Sequence, residues 1–158
     1  MPEFCEPIGG ADATVMLVLD TNIVLDLWVF KDPTMQALHH ALRSGQYRWV
    51  ATTDMCDELV RVLDYPKIVR RMAFHGLAVG PLLADIASYW QLLPTPCVAT
   101  VRCADPDDQK FLDLAVHVAT PSVMACPVLL LSKDHAVRCL AKPLLAQGVK
   151  VSAIFPAI

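Results

Sequence analysis

Short aliphatic runs recur along this chain, VMLVL at 15–19 and VLLL at 128–131, with helix-length segments between them. A run of four or five residues that is apolar at every position is too short for a helix. It suits a strand buried on both faces, which is the habit of a parallel sheet. Parallel neighbours cannot be joined by a hairpin. They need a crossover, and the intervening helical segments supply it. An α/β domain with a central parallel sheet is therefore expected.

Turn and cap residues divide the rest. Strands are expected at 14–19, 47–51, 97–101, 128–132 and 149–154. Helices are expected at 23–30, 34–43, 53–64, 67–74, 78–93, 107–119 and 134–146, the last interrupted at Pro143. Asp32-Pro33, Ser44-Gly45 and His75-Gly76 punctuate them. Residues 1–13, polar and rich in Pro and Gly, read as a loose leader, and 14–158 as one domain, which fits a length of 158 residues.

The chain is 55% hydrophobic, yet no apolar run reaches the roughly 18 residues of a membrane span. The start lacks the basic-then-apolar pattern of a secretory signal, so a cytoplasmic protein without a membrane role is expected. Six scattered cysteines with no CxxC pair read as reduced thiols rather than a zinc site. A net charge of −3 argues against a broad basic face for nucleic acid. It leaves room for a locally basic groove and for positive charge brought by metal ions.

In a parallel sheet, ligands gather beyond the carboxyl ends of the strands. The acids fall there. Asp20 follows the first strand, Glu58 lies on the helix after the second, and Asp105, Asp107 and Asp108 open the 107–119 helix. Asp134 comes two residues after the 128–132 strand. Helical phase separates neighbours. Glu58 sits roughly 85° from the centre of its helix's apolar stripe and Asp57 nearly opposite it. Asp108 lies roughly 40° from the centre of its stripe, and Asp113 points away. Each acid also has a plain alternative as a cap, a dipole partner or a solvated residue. Four segments bringing acids to one sheet edge favour a shared role, because crowded carboxylates repel unless a hard cation lies among them.

These segments resemble PIN domains. Leu19-Asp20-Thr21-Asn22 is similar to the family's opening signature, and Asp57 to Leu63 to its second motif. Asp105-Pro106-Asp107-Asp108-Gln109-Lys110-Phe111-Leu112-Asp113-Leu114-Ala115 closely resembles the third, and Leu131-Ser132-Lys133-Asp134 the fourth. The third motif and the closing 149–156 stretch resemble the branch described as toxin components of toxin–antitoxin pairs, the VapC-like ribonucleases. The resemblance implies a three-layer α/β/α fold and a Mg²⁺- or Mn²⁺-dependent ribonuclease. It places the catalytic, metal-holding quartet at Asp20, Glu58, Asp108 and Asp134, with Asp105 auxiliary. It gives Thr21, Asn22 and Ser132 the task of orienting carboxylates or water. Two departures stand out: Lys133 where Gly is common, and Ala136 where a further acid often follows.

Oxygen ligands suit hard cations, and no His/Cys set offers a softer site. The expected activity is hydrolysis of single-stranded RNA, with Lys133, Lys67, Arg70 and Arg71 as candidate phosphate contacts. An ordinary solvated basic face remains the alternative for the last three. A small antitoxin and a second copy of the chain are the protein partners to be expected. The rival readings are a PIN fold that has lost catalysis and works by binding, and a haloacid-dehalogenase-like phosphatase, which lacks support because Asn22 stands where that class has its second Asp.

Overall fold

A computed structural model describes residues 14–156. The leader expected at 1–13 lies outside the described residues. Five strands form one sheet, β1 (Val15–Leu19), β2 (Tyr47–Ala51), β3 (Trp90–Leu92), β4 (Val128–Leu131) and β5 (Val149–Ser152), in the order β3-β2-β1-β4-β5 with every pairing parallel. The chain winds from β1 outward to β3, then returns to the other side of β1 for β4 and β5. The direction of winding thus reverses between β1 and β4, where open α/β sheets place their ligands.

Eight α-helices connect the strands among the described residues: α1 (Thr21–Trp28), α2 (Gln36–Ser44), α3 (Thr53–Leu63), α4 (Pro66–Phe74), α5 (Val79–Ala87), α6 (Gln109–Ala119), α7 (His135–Arg138) and α8 (Ala141–Ala146). Alternate residues of the central strands point to opposite faces, and each face has its own core. Leu17, Leu19, Trp49, Leu129 and Leu131 meet α1 to α5. Met16, Val18, Val50, Val128 and Leu130 meet α6, Val137 of α7 and Leu144 of α8. The three-layer α/β/α arrangement expected from the sequence is therefore present. None of the helices described is long and apolar enough to cross a membrane.

The structure corrects four expected elements. The helix from Val79 stops at Ala87, and the third strand is Trp90–Leu92 rather than 97–101. Trp90 pairs with Trp49 in the sheet, and their rings meet edge to face at 5.2 Å between centroids. The ladder ends after Leu93 donates to Ala51 O at 2.8 Å, because Pro94 and Pro96 have no N–H to continue it. Residues 97–101 lie along the surface instead. The last helical stretch breaks at Cys139-Leu140, and Pro143 falls in the first turn of α8, where a missing N–H costs nothing. The final strand ends at Ser152.

Candidate metal centre

Asp20 leaves β1 and Ser132 leaves β4 side by side, since Leu19 and Leu131 are in register and Asp20 N donates to Leu131 O at 3.0 Å. The Ser132 hydroxyl, wholly buried, donates to Asp20 Oδ2 at 2.7 Å and accepts the backbone N–H of Asp134 at 3.1 Å. One side chain thus ties the two strand ends together. Asp20 caps α1, with Oδ1 accepting from Asn22 N at 3.4 Å, and Asp134 caps α7, with Oδ1 accepting from Ala136 N at 2.8 Å. The capping and clustering readings are not rivals here: the caps fix the carboxylates where they stand. Asn22 contributes its backbone N–H, while its side chain is exposed.

Asp105 and Asp108 arrive on a single 3₁₀ turn, Pro106–Asp108, ahead of α6. Asp105 caps it by accepting from Asp107 N at 3.0 Å. Asp105, Asp108 and Asp134 each present an oxygen, and the three atoms lie within 4.8 Å of one another. Asp108 is 9% exposed, and its Oδ2 is buried with no hydrogen-bond partner. Burial raises the pKa of Asp108 to about 7, and the charges of Asp20, Asp134 and Asp105 add to the rise. Burial likewise raises the pKa of Asp20, opposed by the hydrogen bonds from Ser132 and Asn22 and reinforced by Asp134 and Glu58. An orphaned, buried carboxylate oxygen among three further carboxylates fits a hard divalent cation, which would supply the missing partner and offset the repulsion.

Glu58 joins from α3 at the flank. Its Oε2 accepts the Thr21 hydroxyl at 2.5 Å, and its Oε1 pairs with Lys110 Nζ at 3.2 Å. Asp57, one residue earlier, is exposed, as helical phase predicts. All four quartet acids therefore reach one edge of the sheet. Asp105 takes part in the tightest triple, while Glu58 stands to the side with a cationic partner.

Residues 16–123 match the PIN domain family, well over half of the chain. This chain belongs to the PIN domain family. PIN domains are generally nucleases, that is hydrolases, and typically use divalent metals. The match spans Asp20, Glu58, Asp105 and Asp108 and ends before β4. The fold itself brings Ser132 and Asp134 into the PIN site. No curated protein matches the chain as a relative.

Several contacts around the PIN site escape sequence reasoning. Gln109 is buried at the start of α6, where its Oε1 accepts from Cys103 N at 2.6 Å and its Nε2 donates to Val101 O at 2.9 Å. Asp113, expected to point away from the buried stripe, accepts from Ala99 N at 2.8 Å and from Gln109 Nε2 at 2.9 Å. Together they strap residues 99–103 onto α6 and set where Asp105 and Asp108 begin. The only local signal is that a buried Gln and a half-buried Asp sit four residues apart on one helix face. Lys110 bonds to Asp107 O as well as to Glu58, bridging the turn to α3. Lys133 turns away from the acid cluster to Asp26 Oδ2 at 2.5 Å and Asp32 Oδ2 at 3.8 Å. Those carboxylates raise its pKa and neutralise it locally. Trp28 and Trp49 stack on each other in the core, with Trp28 Nε1 donating to Asp85, so neither offers a face for a base. Lys67, Arg70 and Arg71 are exposed on α4.

Proposed function

We propose that this PIN-domain protein is a Mg²⁺- or Mn²⁺-dependent endoribonuclease acting on single-stranded RNA. Asp20, Glu58, Asp108 and Asp134 would hold the cation, with Asp105 auxiliary and Thr21 and Ser132 orienting the carboxylates. The observation that carries the reading is Asp108: buried, lacking a partner at Oδ2, and set among Asp105 of its own turn and Asp20 and Asp134 from two distant places in the chain. Such an arrangement stabilises nothing by itself, because each added carboxylate raises the cost of ionising the next. When bound, a divalent cation lowers the pKa of water and offsets charge on a phosphate.

The chain's own residues do the positioning. Ser132 fixes Asp20 and the backbone of Asp134 in one frame, and Thr21 holds Glu58 toward it. Lys110 pairs with Glu58 and limits its swing. Phosphate contacts fall to Lys67, Arg70 and Arg71, with Lys133 a weaker candidate because Asp26 and Asp32 already engage it. A role as the toxin of a toxin–antitoxin pair, with a small antitoxin as partner and a cytoplasmic location, fits the third motif.

The deciding experiment is cleavage of a labelled single-stranded RNA with Mg²⁺, with Mn²⁺ and with EDTA, alongside Asp20→Asn. Metal-dependent cleavage that the variant loses is expected. The pairing of Glu58 with Lys110, and Ala136 in place of a further acid, favour one second reading, a PIN fold that binds without cutting. Absence of cleavage with either metal, together with retained RNA binding, would establish it instead.

A further inference from the structure

Beyond the acid cluster, α4 presents an uncommitted cationic and aromatic face. Ile68 and Met72 turn inward to the core. Lys67, Arg70, Arg71 and Phe74 follow at i, i+3, i+4 and i+7 on the outer side, all exposed. With Phe30, which follows α1, they line an open cavity of about 380 Å³. Phe74 is 76% exposed, an unusual setting for a large apolar ring, and the Arg71 guanidinium lies over it at 5.1 Å from the centroid. Among the described residues, none of the three cations comes within ion-pair distance of a carboxylate. The two lysines beside the acid cluster are both engaged, Lys110 with Glu58 and Lys133 with Asp26 and Asp32.

We propose that this cavity is a subsite for single-stranded RNA, in which a base stacks on Phe74 and Phe30 while adjoining phosphates rest on Lys67, Arg70 and Arg71. The proposal rests on the ribonuclease reading and locates where the strand is held away from the acids. Like charges three and four residues apart repel along a helix, so the row gains from an anionic ligand. Rings beside a row of cations match the two chemistries of a single strand, a π-face on every base and a charge on every phosphate. A groove for an apolar helix would be walled by aliphatic side chains instead. The protein carries a net charge of −3, so a local row of cations is the means by which it attracts an anionic strand. Phe30 lies ten residues beyond Asp20, and α1 spans most of that interval. The subsite is therefore roughly 15 Å along the helix from the acids, within reach of one bound strand.

The test is fluorescence anisotropy of a fluorescein-labelled oligouridine and oligoadenosine with the full chain in EDTA, where metal-dependent turnover is silent. Phe74→Ala should weaken binding of both by about 5- to 100-fold, the range of one lost base stack, and Phe74→Trp should restore it. Arg70→Ala and Lys67→Ala should each reduce the slope of log affinity against log salt by about 0.7. Exposure of these side chains makes folded variants the expectation, checked by melting. Duplex RNA, whose bases cannot reach a ring, should be indifferent to Phe74→Ala. Equal affinity of wild type and Phe74→Ala for the oligonucleotides overturns the proposal. So does a wild-type dimer that Phe74→Ala dissociates without change in RNA affinity, since the face would then bind a second copy. Cleavage with Mn²⁺ is scored separately, so loss of the nuclease reading and loss of this subsite are told apart.

Discussion

Asp108 concentrates the tension of the acid cluster in one side chain. Its carboxyl has an ordinary value of 3.8 and a value of about 7 in the fold. Between those values the folded chain binds a proton that the unfolded chain has released. The stabilisation is whole below 3.8 and is lost as the pH rises through about 7. In metal-free protein, ionising Asp108 should cost on the order of 2–4 kcal/mol, shared with the carboxylates it touches. Asp108→Asn removes the charge and keeps the shape. In EDTA it should flatten the decline between about pH 5 and 8 and raise the melting temperature at pH 8 by roughly 5–10 °C. Melting curves across that range check this, and a variant as pH-sensitive as the wild type would place the strain elsewhere. Ser132 makes the opposite prediction. Its hydroxyl serves Asp20 and Asp134 from a wholly buried position, so Ser132→Ala leaves both short of a partner. A loss of about 1–3 kcal/mol in urea unfolding is expected, with metal affinity down roughly 10- to 100-fold.

At the scale of elements, the strap over α6 is the support most open to test. Gln109 and Asp113 hold the backbone of residues 99, 101 and 103, the stretch that delivers Asp105. Gln109→Ala should free it. Limited proteolysis should then cut first between about residues 94 and 105, and Mn²⁺ should bind more weakly although no carboxylate has changed. Unchanged cleavage sites and Mn²⁺ affinity would show that Asp105 is placed by its cap alone. The strap also marks where the sequence stops being readable. β1 and β4 were plain because burial on both faces leaves an unbroken apolar run. Glu58 and Asp108 were separable from Asp57 and Asp113 because helical phase is fixed by 3.6 residues per turn. β3 was not plain, since three residues, Trp-Gln-Leu, are too few to set a period of their own and continue the apolar pattern of α5. Hydrogen bonds such as Ala99 to Asp113, or the pair of Glu58 with Lys110, join distant positions without periodicity. Nothing in the local sequence announces them, and they decide which acids stand free.

For the whole molecule, the site and the fold share one free energy. Asp20 and Asp134 terminate the two central strands where the winding reverses, and Asp105 and Asp108 lead into the helix that covers the second core. A cation held there would bind the folded chain and find no such cluster in the unfolded one, so it must raise the melting temperature. At a free concentration of about 100 times its dissociation constant the gain is about 2.7 kcal/mol. For a domain of this size that is roughly 5–10 °C. Asp20→Asn separates site from fold. Removing a buried negative charge should raise the metal-free melting temperature while sharply reducing the increment from Mg²⁺ or Mn²⁺. The variant's one oxygen can still accept from Ser132, at the expense of the cap on Asn22 N, so the tie between β1 and β4 survives. Thermal melts of both proteins, with EDTA and across a Mn²⁺ titration, give four numbers. The expected order is wild type without metal lowest and wild type with metal raised well above it, with the variant nearly the same in either condition. If metal leaves the wild type where it was, the carboxylates are not a cation site. The acid cluster would then be a strain that the fold carries for a different purpose, and the binding-only reading of this PIN domain would take precedence.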